Sequence, residues 1–299
     1  MKPPHRLILT LFVSTLLACE MDAQSTSASD STEPSYGFWS RHNLATVTTA
    51  TVVGGMFVYG WGVWWKNDYR SFRFYSDHPG FFNPYLRIDK VGHAFTGHYI
   101  FHAVDDILLW GGRDENEAFW WATGISAFHA FMVEVGDGFS EYGFDYEDML
   151  SNWTGIGLGV LQQKVPIFSN LDVKWSLYYP LNRHAFIIND LYDYHIYWLS
   201  FKVNNLLPRS LEPLWPDWLQ VAFGYSSAEH GNSRDYIIGF DYNLEMIPIE
   251  GTDINLVKKL LNMFHAPAPG VKFFPGRHPQ FQLLLPCGET GRAAGRLQL

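Results

Sequence analysis

The chain has 299 residues and a formal net charge of -9, and its length allows one large or two modest domains. Because acidic residues outnumber basic ones, the composition gives no sign of the basic surface that a nucleic-acid-binding protein needs. Aromatic residues and charged residues each make up 17% of the chain, so the composition favours a folded protein with a large core over a disordered one and allows contact with lipid.

The N-terminus, MKPPHRLILTLFVSTLLAC, has the pattern of a secretory signal. Lys2 and Arg6 supply positive charge, and residues 7–18 form an apolar segment too short for a comfortable membrane span. The segment ends in LLAC, which resembles a bacterial lipobox and predicts lipidation of Cys19. An ordinary cleaved signal or an uncleaved anchor is the alternative. With Cys19 lipidated, Cys287 is left alone, so no disulfide framework is expected.

Four predicted helices follow a Ser- and Thr-rich tether, over residues 43–65, 89–110, 115–137 and 148–163. The first is uncharged and long enough to cross a bilayer, although a buried soluble helix is the alternative. Basic residues crowd the segment between the first two helices, as on the cytoplasmic side of an inner-membrane protein. Gly155 and Gly159 on the fourth helix predict a close contact with another helix.

Beyond Pro166 the apolar period changes from helical to alternating. Residues 173–177, 219–225 and 236–244 predict short antiparallel strands. A short helix is predicted over residues 255–265 and a last strand over residues 280–285. The predicted fold class is therefore α+β, with an N-terminal membrane-associated four-helix bundle followed by a smaller antiparallel strand-rich region.

The predicted organisation has five parts. They are a signal peptide with a lipobox-like end at 1–19, a disordered tether at 20–36, a helical bundle domain at 37–166, a strand-rich C-terminal region at 167–286 and a frayed tail at 287–299. A lipidated chain of this kind is expected in the bacterial cell envelope, anchored to the outer or inner membrane on its periplasmic side.

The second predicted helix carries polar residues on two faces. Residues three or four positions apart share a face of a helix, so Asp89 and His93 lie on one face, and His98, His102 and Asp105 lie on a roughly opposite one. Histidines at i and i+4 can chelate a metal, which makes the second set a candidate metal face. Histidines at a helix interface without a metal are the alternative.

Alternating helix directions predict where other polar residues converge. If the second, third and fourth helices run up, down and up, two helix starts and one helix end lie on the same side. The side chains expected to meet there are Asp89, Lys90, His93, Glu134, Asp137, Asp148 and Asn152. Buried carboxylates that outnumber their cationic partners must pair, bind a cation or take up protons. A raised carboxylate pKa would suit acid–base catalysis, and a structural network that fixes helix register is the alternative.

The same region carries a resemblance to a known family. The motifs are DKxxH from Asp89, ExxDGF from Glu134, GF at 143–144 and DxxxNxxG from Asp148. Together they resemble the predicted periplasmic lipoproteins of the YfiM type, over about residues 86–165. The spacing is also similar to that of VanZ-like membrane proteins, in which Gln usually stands where this chain has Asp137. The resemblance implies a cell-envelope location and a helical membrane-associated core, and it implies no established reaction.

Two functions from different classes fit these observations. The first is a non-catalytic envelope lipoprotein that needs no cofactor, binds membrane lipid or an envelope protein partner, and uses the polar cluster to hold its helices in register. The alternative is a membrane-associated hydrolase acting on a lipid or lipid-linked phosphate, with or without a divalent cation. Its catalytic residues would be Asp89, His93, Glu134, Asp137 and Asp148, with Lys90 and Asn152 as binding or structural residues. The first is favoured because the sequence has no phosphatase motif, nucleophile elbow, P-loop or dinucleotide fingerprint.

Replacing Cys19 with Ala should abolish incorporation of labelled palmitate and weaken membrane attachment, because acyl chains on this cysteine are the predicted anchor. Metabolic labelling followed by membrane fractionation measures both effects. A wild-type protein that never incorporates palmitate would show that the lipobox prediction is wrong.

Overall fold

The computed structural model describes residues 37, 39–65, 69–75, 87–177, 192, 194–228, 233–276 and 278–285. The predicted signal, tether and tail, including Cys19 and Cys287, lie outside these residues. The α-helices of the described part are α1 Arg41–Gly60, α2 Ile88–Trp110, α3 Glu115–Gly138, α4 Tyr146–Lys164, α5 Val203–Leu206 and α6 Thr252–Asn262. The strands are β1 Leu171–Leu177, β2 His195–Phe201, β3 Leu219–Ala228, β4 Ser233–Tyr242, β5 Ala268–Phe273 and β6 Gln280–Leu285.

Three of the four long helices begin at capping residues. Ser40, Asp114 and Asp145 precede α1, α3 and α4, and each side chain accepts a hydrogen bond from a backbone N–H of the first turn. These caps explain why the first, third and fourth predicted helices begin close to their expected positions. The first helix differs at its other end, where Trp61–Trp65 continue as a π-helix.

The long helices pack around α2. One core cluster joins Ala103 and Ile107 of α2 to Leu44 of α1 and Leu256 of α6. A second cluster joins the next face of α2 to α3 and α4 through side chains that include Phe101. Because α2 is covered on several sides, its buried residues do not form a single stripe. The predicted four-helix bundle and its association with a membrane stay predictions.

No helix within the described ranges is both long and apolar enough to cross a membrane. The sequence-based view of residues 43–65 as a possible span is therefore corrected. Thr and Gly residues within α1 dilute its apolar character, and its α-helical part ends at Gly60.

Helices α2 and α4 touch backbone to backbone at two glycines. A Cβ atom on Gly155 would lie 1.8 Å from the carbonyl oxygen of Ala94, and one on Gly97 would lie 2.2 Å from the carbonyl oxygen of Asn152. A Cβ on Gly159 would meet the Phe101 ring at 2.5 Å. Only glycine allows helices to approach this closely, so the predicted contact at Gly155 and Gly159 is confirmed.

The strands form one antiparallel sheet in which sequence neighbours pair in the order β1 to β6. The alternating sequence patterns did not predict two of these strands, β2 and β5. The segment HIYWLSF of β2 is an unbroken run of mainly apolar residues, and β5 begins within a Pro-rich stretch at Ala268. The predicted third strand also ends earlier than expected, because Leu244 lies in a 3-10 helix.

One face of the sheet is apolar and partly exposed. Leu199, Phe223, Ile238, Val271 and Phe281 are cross-strand partners that form a row from β2 to β6. All of them except the partly buried Val271 have exposed side chains. The same face also carries Tyr197, two residues before Leu199 on β2, which packs against α2, so this face is only partly exposed.

The opposite face of the sheet is buried and carries both apolar and charged residues. Its apolar core cluster includes Trp198 and Ile237. Lys174 Nζ lies 2.8 Å from Asp241 Oδ2, and both side chains are fully buried. Lys272 Nζ lies 2.8 Å from Asp235 Oδ2 in a second buried pair. Removing one partner of such a pair leaves an uncompensated buried charge, so these pairs hold β1 and β5 to β4 within the sheet.

The sheet also reaches the helices. Tyr197 of β2 shares a core cluster with Ile88 and Phe95 of α2. A Cβ on Gly92 would lie 2.6 Å from the Tyr197 hydroxyl. At the other end of α2, Trp110 donates a hydrogen bond of 2.7 Å to Asp253 of α6. The strand-rich segment therefore contributes to the surroundings of the first turns of α2.

Gly155→Ala should lower the free energy of unfolding by about 1–3 kcal/mol, because a Cβ there forces α2 and α4 apart. Gly157→Ala is the matched control on the same helix, where a Cβ meets nothing within 4 Å. That change should leave stability unchanged or raise it by about 0.5–1 kcal/mol. Chemical denaturation measures both effects, and equal effects would contradict the close contact.

Candidate functional site

Three helix ends meet in the structure as the alternating directions predict. Asp89, Lys90 and His93 lie in the first turns of α2, Glu134 and Asp137 in the last turn of α3, and Asp148 and Asn152 in the first turns of α4. Together with Asp145, the N-cap residue of α4, these residues form what we call the helix-end cluster. The structure brings them into contact, and their functional roles stay predictions.

His93 lies between carboxylates from two other helices. Its Nε2 atom is 3.4 Å from Asp148 Oδ1, and its Nδ1 atom is 3.8 Å from Glu134 Oε1. The Asn152 Nδ2 atom is 3.0 Å from the same Nδ1 atom. The close backbone contact of α2 with α4 makes this possible, since it places Asn152 beside the second turn of α2.

Lys90 is surrounded by carboxylates. Its Nζ atom lies 2.6 Å from Asp148, 2.7 Å from Asp145 and 3.2 Å from Asp89. Burial by itself lowers the pKa of this amine, but the neighbouring carboxylates outweigh burial and raise the pKa of Lys90 above its ordinary value. Sequence reasoning did not place Asp145 in the site. It lies three residues before the predicted fourth helix and directly before the observed α4, and an aspartate just ahead of a helix is the signal that could have placed it there.

Glu134 is the most deeply buried carboxylate of the helix-end cluster, with an exposed fraction of 0%. Its Oε2 atom accepts a hydrogen bond of 3.4 Å from the backbone N–H of Asp145, and its Oε1 atom has no hydrogen-bond partner. Burial, with the nearby charges of Asp148 and Asp137, raises the pKa of Glu134 to about 9. Glu134 is therefore protonated at neutral pH.

The other two carboxylates with shifted titration are held by specific partners. Burial raises the pKa of Asp137 to about 6, and the hydrogen bond of 2.7 Å that Trp65 Nε1 donates to Asp137 opposes this change. Burial also raises the pKa of Asp148, while His93 and Lys90 oppose the shift. Trp65 was missed by sequence reasoning, because nothing in the helix pattern shows that the π-helix turns its indole towards α3.

The helix-end cluster lies in a segment with a recognised sequence pattern. Residues 80–164 match the family model "Predicted periplasmic lipoprotein (DUF2279)". Neither a curated protein nor a solved structure matched the chain. The matched segment includes α2, α3 and α4 and so every member of the cluster. The match supports an envelope lipoprotein of periplasmic kind, and the family description names no reaction.

A cavity of about 620 Å³ opens beside the cluster. Its apolar walls include Val52 and Met56 of α1 and Val133 of α3, and its polar end includes Asp89 and His93. Much of this cavity lies outside the segment that the lipoprotein family model matches, since α1 and the β2 strand also line it.

The sheet contributes wall residues that the sequence patterns did not identify. His195 and Tyr197 of β2 line the cavity together with Tyr192. His195 Nδ1 lies 3.0 Å from the Tyr197 hydroxyl. They were missed because β2 has no alternating pattern, and no local signal places this strand against α2.

The second polar face of α2, with His98, His102 and Asp105, contacts the last turns of α4. The Nε2 atoms of His98 and His102 each lie 2.7 Å from Gln162 Oε1, and Gln163 donates a hydrogen bond of 2.6 Å to Asp105. Burial lowers the pKa of His98 to about 3 and also lowers that of His102. Burial raises the pKa of Asp105 to about 6. Both histidines are neutral at pH 7, and their role as a metal face stays a prediction.

Glu134→Gln should become more stable relative to the wild type as the pH rises. The native carboxyl has its pKa raised from 4.5 to about 9, so between these values the folded wild type holds a proton that the unfolded chain releases. The free energy of unfolding therefore falls as the pH rises through this window. The Gln variant lacks this proton uptake.

The stability difference between the two proteins should grow by about 1 kcal/mol per pH unit. Urea unfolding at about pH 5.5 and about pH 8 measures it, over a window in which native Glu134 stays protonated. A difference that does not change with pH would show that Glu134 titrates normally.

Proposed function

We propose that this chain is an envelope lipoprotein that binds one amphiphilic molecule, with the apolar part in the cavity and the polar part at the helix-end cluster. The observation that carries the proposal is the form of the cavity, which has apolar walls and ends at Asp89, His93 and Asn152. Its volume of about 620 Å³ falls within the range of about 300–1,000 Å³ that is common for small-molecule sites.

The walls favour a long apolar group over a polar metabolite. Val47, Val52, Met56, Ala130 and Val133 contribute apolar surface to the cavity. A polar ligand would lose its hydration against these side chains without gaining hydrogen bonds, which is unfavourable. An acyl or prenyl chain would remove the same surface from water.

The polar end favours a headgroup that donates hydrogen bonds. Carboxylates outnumber the cationic groups of the cluster, and Asp89 and His93 both line the cavity. A hydroxyl or amine group would find acceptors there, whereas an anionic group would be repelled unless a cation were present. The proposed ligand is therefore a membrane lipid with a hydroxyl or amine headgroup.

Exposed aromatic residues offer a way to reach such a ligand. Trp120, Trp121 and Phe128 of α3 and Leu150 and Trp153 of α4 have exposed side chains. Tryptophan is favoured at membrane–water interfaces, because its ring is amphipathic. Contact of α3 and α4 with lipid, together with the predicted acyl anchor at Cys19, would keep the cavity close to its source of ligand.

The finer family assignment belongs to the same proposal. We place the chain with the YfiM-type lipoproteins on the DKxxH, ExxDGF and DxxxNxxG motifs, and we propose that it shares its helix-end spacing with VanZ-like proteins. We also propose that the chain carries an N-terminal signal peptide, that its helical bundle associates with a membrane, and that it binds an envelope protein partner.

A second candidate function is hydrolysis of a lipid or lipid-linked phosphate. It draws support from the buried carboxyl groups, since burial raises the pKa of Glu134 to about 9 and also raises the pKa of Asp148. A carboxyl group that keeps its proton at neutral pH can act as a general acid. Phosphate release from a lipid phosphate that is lost in Glu134→Gln, while amphiphile binding persists, would favour this function.

Gly55→Leu should weaken binding of a fluorescent long-chain amphiphile by about tenfold, which corresponds to about 1.4 kcal/mol. Gly55 lines the cavity, so a side chain there occupies the space of the ligand. Gly54→Leu is the matched control, because Gly54 precedes it on α1, does not line the cavity and also has nothing within 4 Å of its Cβ position.

Fluorescence titration of both variants and the wild type tests the proposal. Native mass spectrometry of protein purified with membrane lipids identifies the class of ligand. Equal affinities of the Gly55 and Gly54 variants, or no binding by the wild type, would contradict amphiphile binding in this cavity.

A further inference from the structure

We infer that His93, Glu134 and Asp148 form a binding site for one divalent transition-metal ion, of which Zn²⁺ is the first to test. Each residue comes from a different helix. One nitrogen of His93 and one oxygen of each carboxylate all lie within 4.8 Å of one another. Among the residues that the structure describes, this is the group with such spacing. The inference does not depend on what occupies the neighbouring cavity.

An unsatisfied buried oxygen points to a missing partner. Glu134 is fully buried, and its Oε1 atom has no hydrogen-bond partner although it lies 3.8 Å from His93 Nδ1. Buried carboxyl oxygens are rarely left without a partner, because they lose their hydration in the folded state. A cation bound by this oxygen would satisfy it.

The local charge also favours a dication. The helix-end cluster contains five carboxylates, namely Asp89, Glu134, Asp137, Asp145 and Asp148, with Lys90 as its amine. The neighbouring Arg87 forms an ion pair with Glu147 and so faces a carboxylate outside the cluster. A bound dication offsets this excess of negative charge in a site that is mostly shielded from water.

The geometry requires only a slight inward movement of the ligands. Zinc binds histidine nitrogen and carboxylate oxygen at about 2.0–2.2 Å, so two ligand atoms of the same ion lie at most about 4.4 Å apart. Asp148 can turn towards the ion because Lys90 keeps contacts of 2.7 Å with Asp145 and 3.2 Å with Asp89. Asn152 lies 3.0 Å from His93 Nδ1, so Nε2, which is 3.4 Å from Asp148, is the nitrogen open to the ion. With the ion on Nε2, Nδ1 carries the proton, and Asn152 holds the ring by turning its amide so that the oxygen accepts from Nδ1–H.

The ligand types select among ions. A histidine nitrogen with two carboxylates suits Zn²⁺ or Mn²⁺ better than Mg²⁺ or Ca²⁺, which prefer oxygen ligands. Zinc binds such sets more tightly than manganese. His93 also lines the cavity, so a fourth coordination position can face the cavity and take a water or the polar group of a ligand.

Equilibrium dialysis of the untagged full-length chain against Zn²⁺, read by inductively coupled plasma mass spectrometry, tests the site without any amphiphile. Glu134→Gln and Asp137→Asn form a matched pair. Each replaces a carboxylate of the last turn of α3 by an amide of the same shape, but only Glu134 belongs to the proposed ligand set. Asn at position 137 can still accept the hydrogen bond from Trp65.

The wild type should bind one Zn²⁺ per chain. Glu134→Gln and His93→Ala should each weaken binding by at least about tenfold, whereas Asp137→Asn should weaken it much less. Circular dichroism establishes that each variant is folded, and the two amide variants decide the result if His93→Ala does not fold. No bound zinc in the wild type, or equal losses in Glu134→Gln and Asp137→Asn, would overturn the inference. Amphiphile binding is measured separately, by the titration of the Gly55 and Gly54 variants, so the failure of one proposal is distinguishable from the failure of the other.

Discussion

The direct backbone contact between α2 and α4 is the constraint on which the rest of the structure depends. At Gly97 and Gly155 the two helices approach so closely that a single Cβ atom would overlap a carbonyl oxygen. This contact sets Asn152 beside His93 and brings Asp148 within reach of Lys90. The polar groups of the site are therefore positioned by a steric feature together with their ion pairs across the two helices.

The helix-end cluster concentrates negative charge where solvent is limited. Lys90 neutralises part of this charge through three carboxylates, and Glu134 avoids ionisation by holding a proton. Protonation and metal binding are two ways to satisfy the same excess of carboxylates. Within the helix-end cluster, Glu134 is the carboxyl group that most needs a proton or a cation, because it is fully buried and one of its oxygens has no hydrogen-bond partner.

The sheet shows how strongly context overrides a local pattern. Several strands alternate apolar and polar residues, whereas β2 does not. The buried face carries ion pairs such as Lys174–Asp241 beside an apolar cluster that includes Trp198, and the other face carries exposed residues such as Phe223. Alternation predicts two different faces and does not tell which one is inside. Pairing of the charges makes it possible to bury them among apolar side chains. The same sheet provides Tyr197, which ties β2 to α2 beside the cavity.

The sequence by itself determined the four long helices, most of the strands and the set of polar residues that meet at one end of the helices. Helical and strand periodicity and the alternation of chain direction were sufficient for this, because they depend on local spacing. Tertiary structure alone decided the cavity, the contribution of β2 and Trp65, and the shifted titration of Glu134. These features arise from contacts between residues far apart in the chain and from burial, and neither is encoded in the spacing of neighbours.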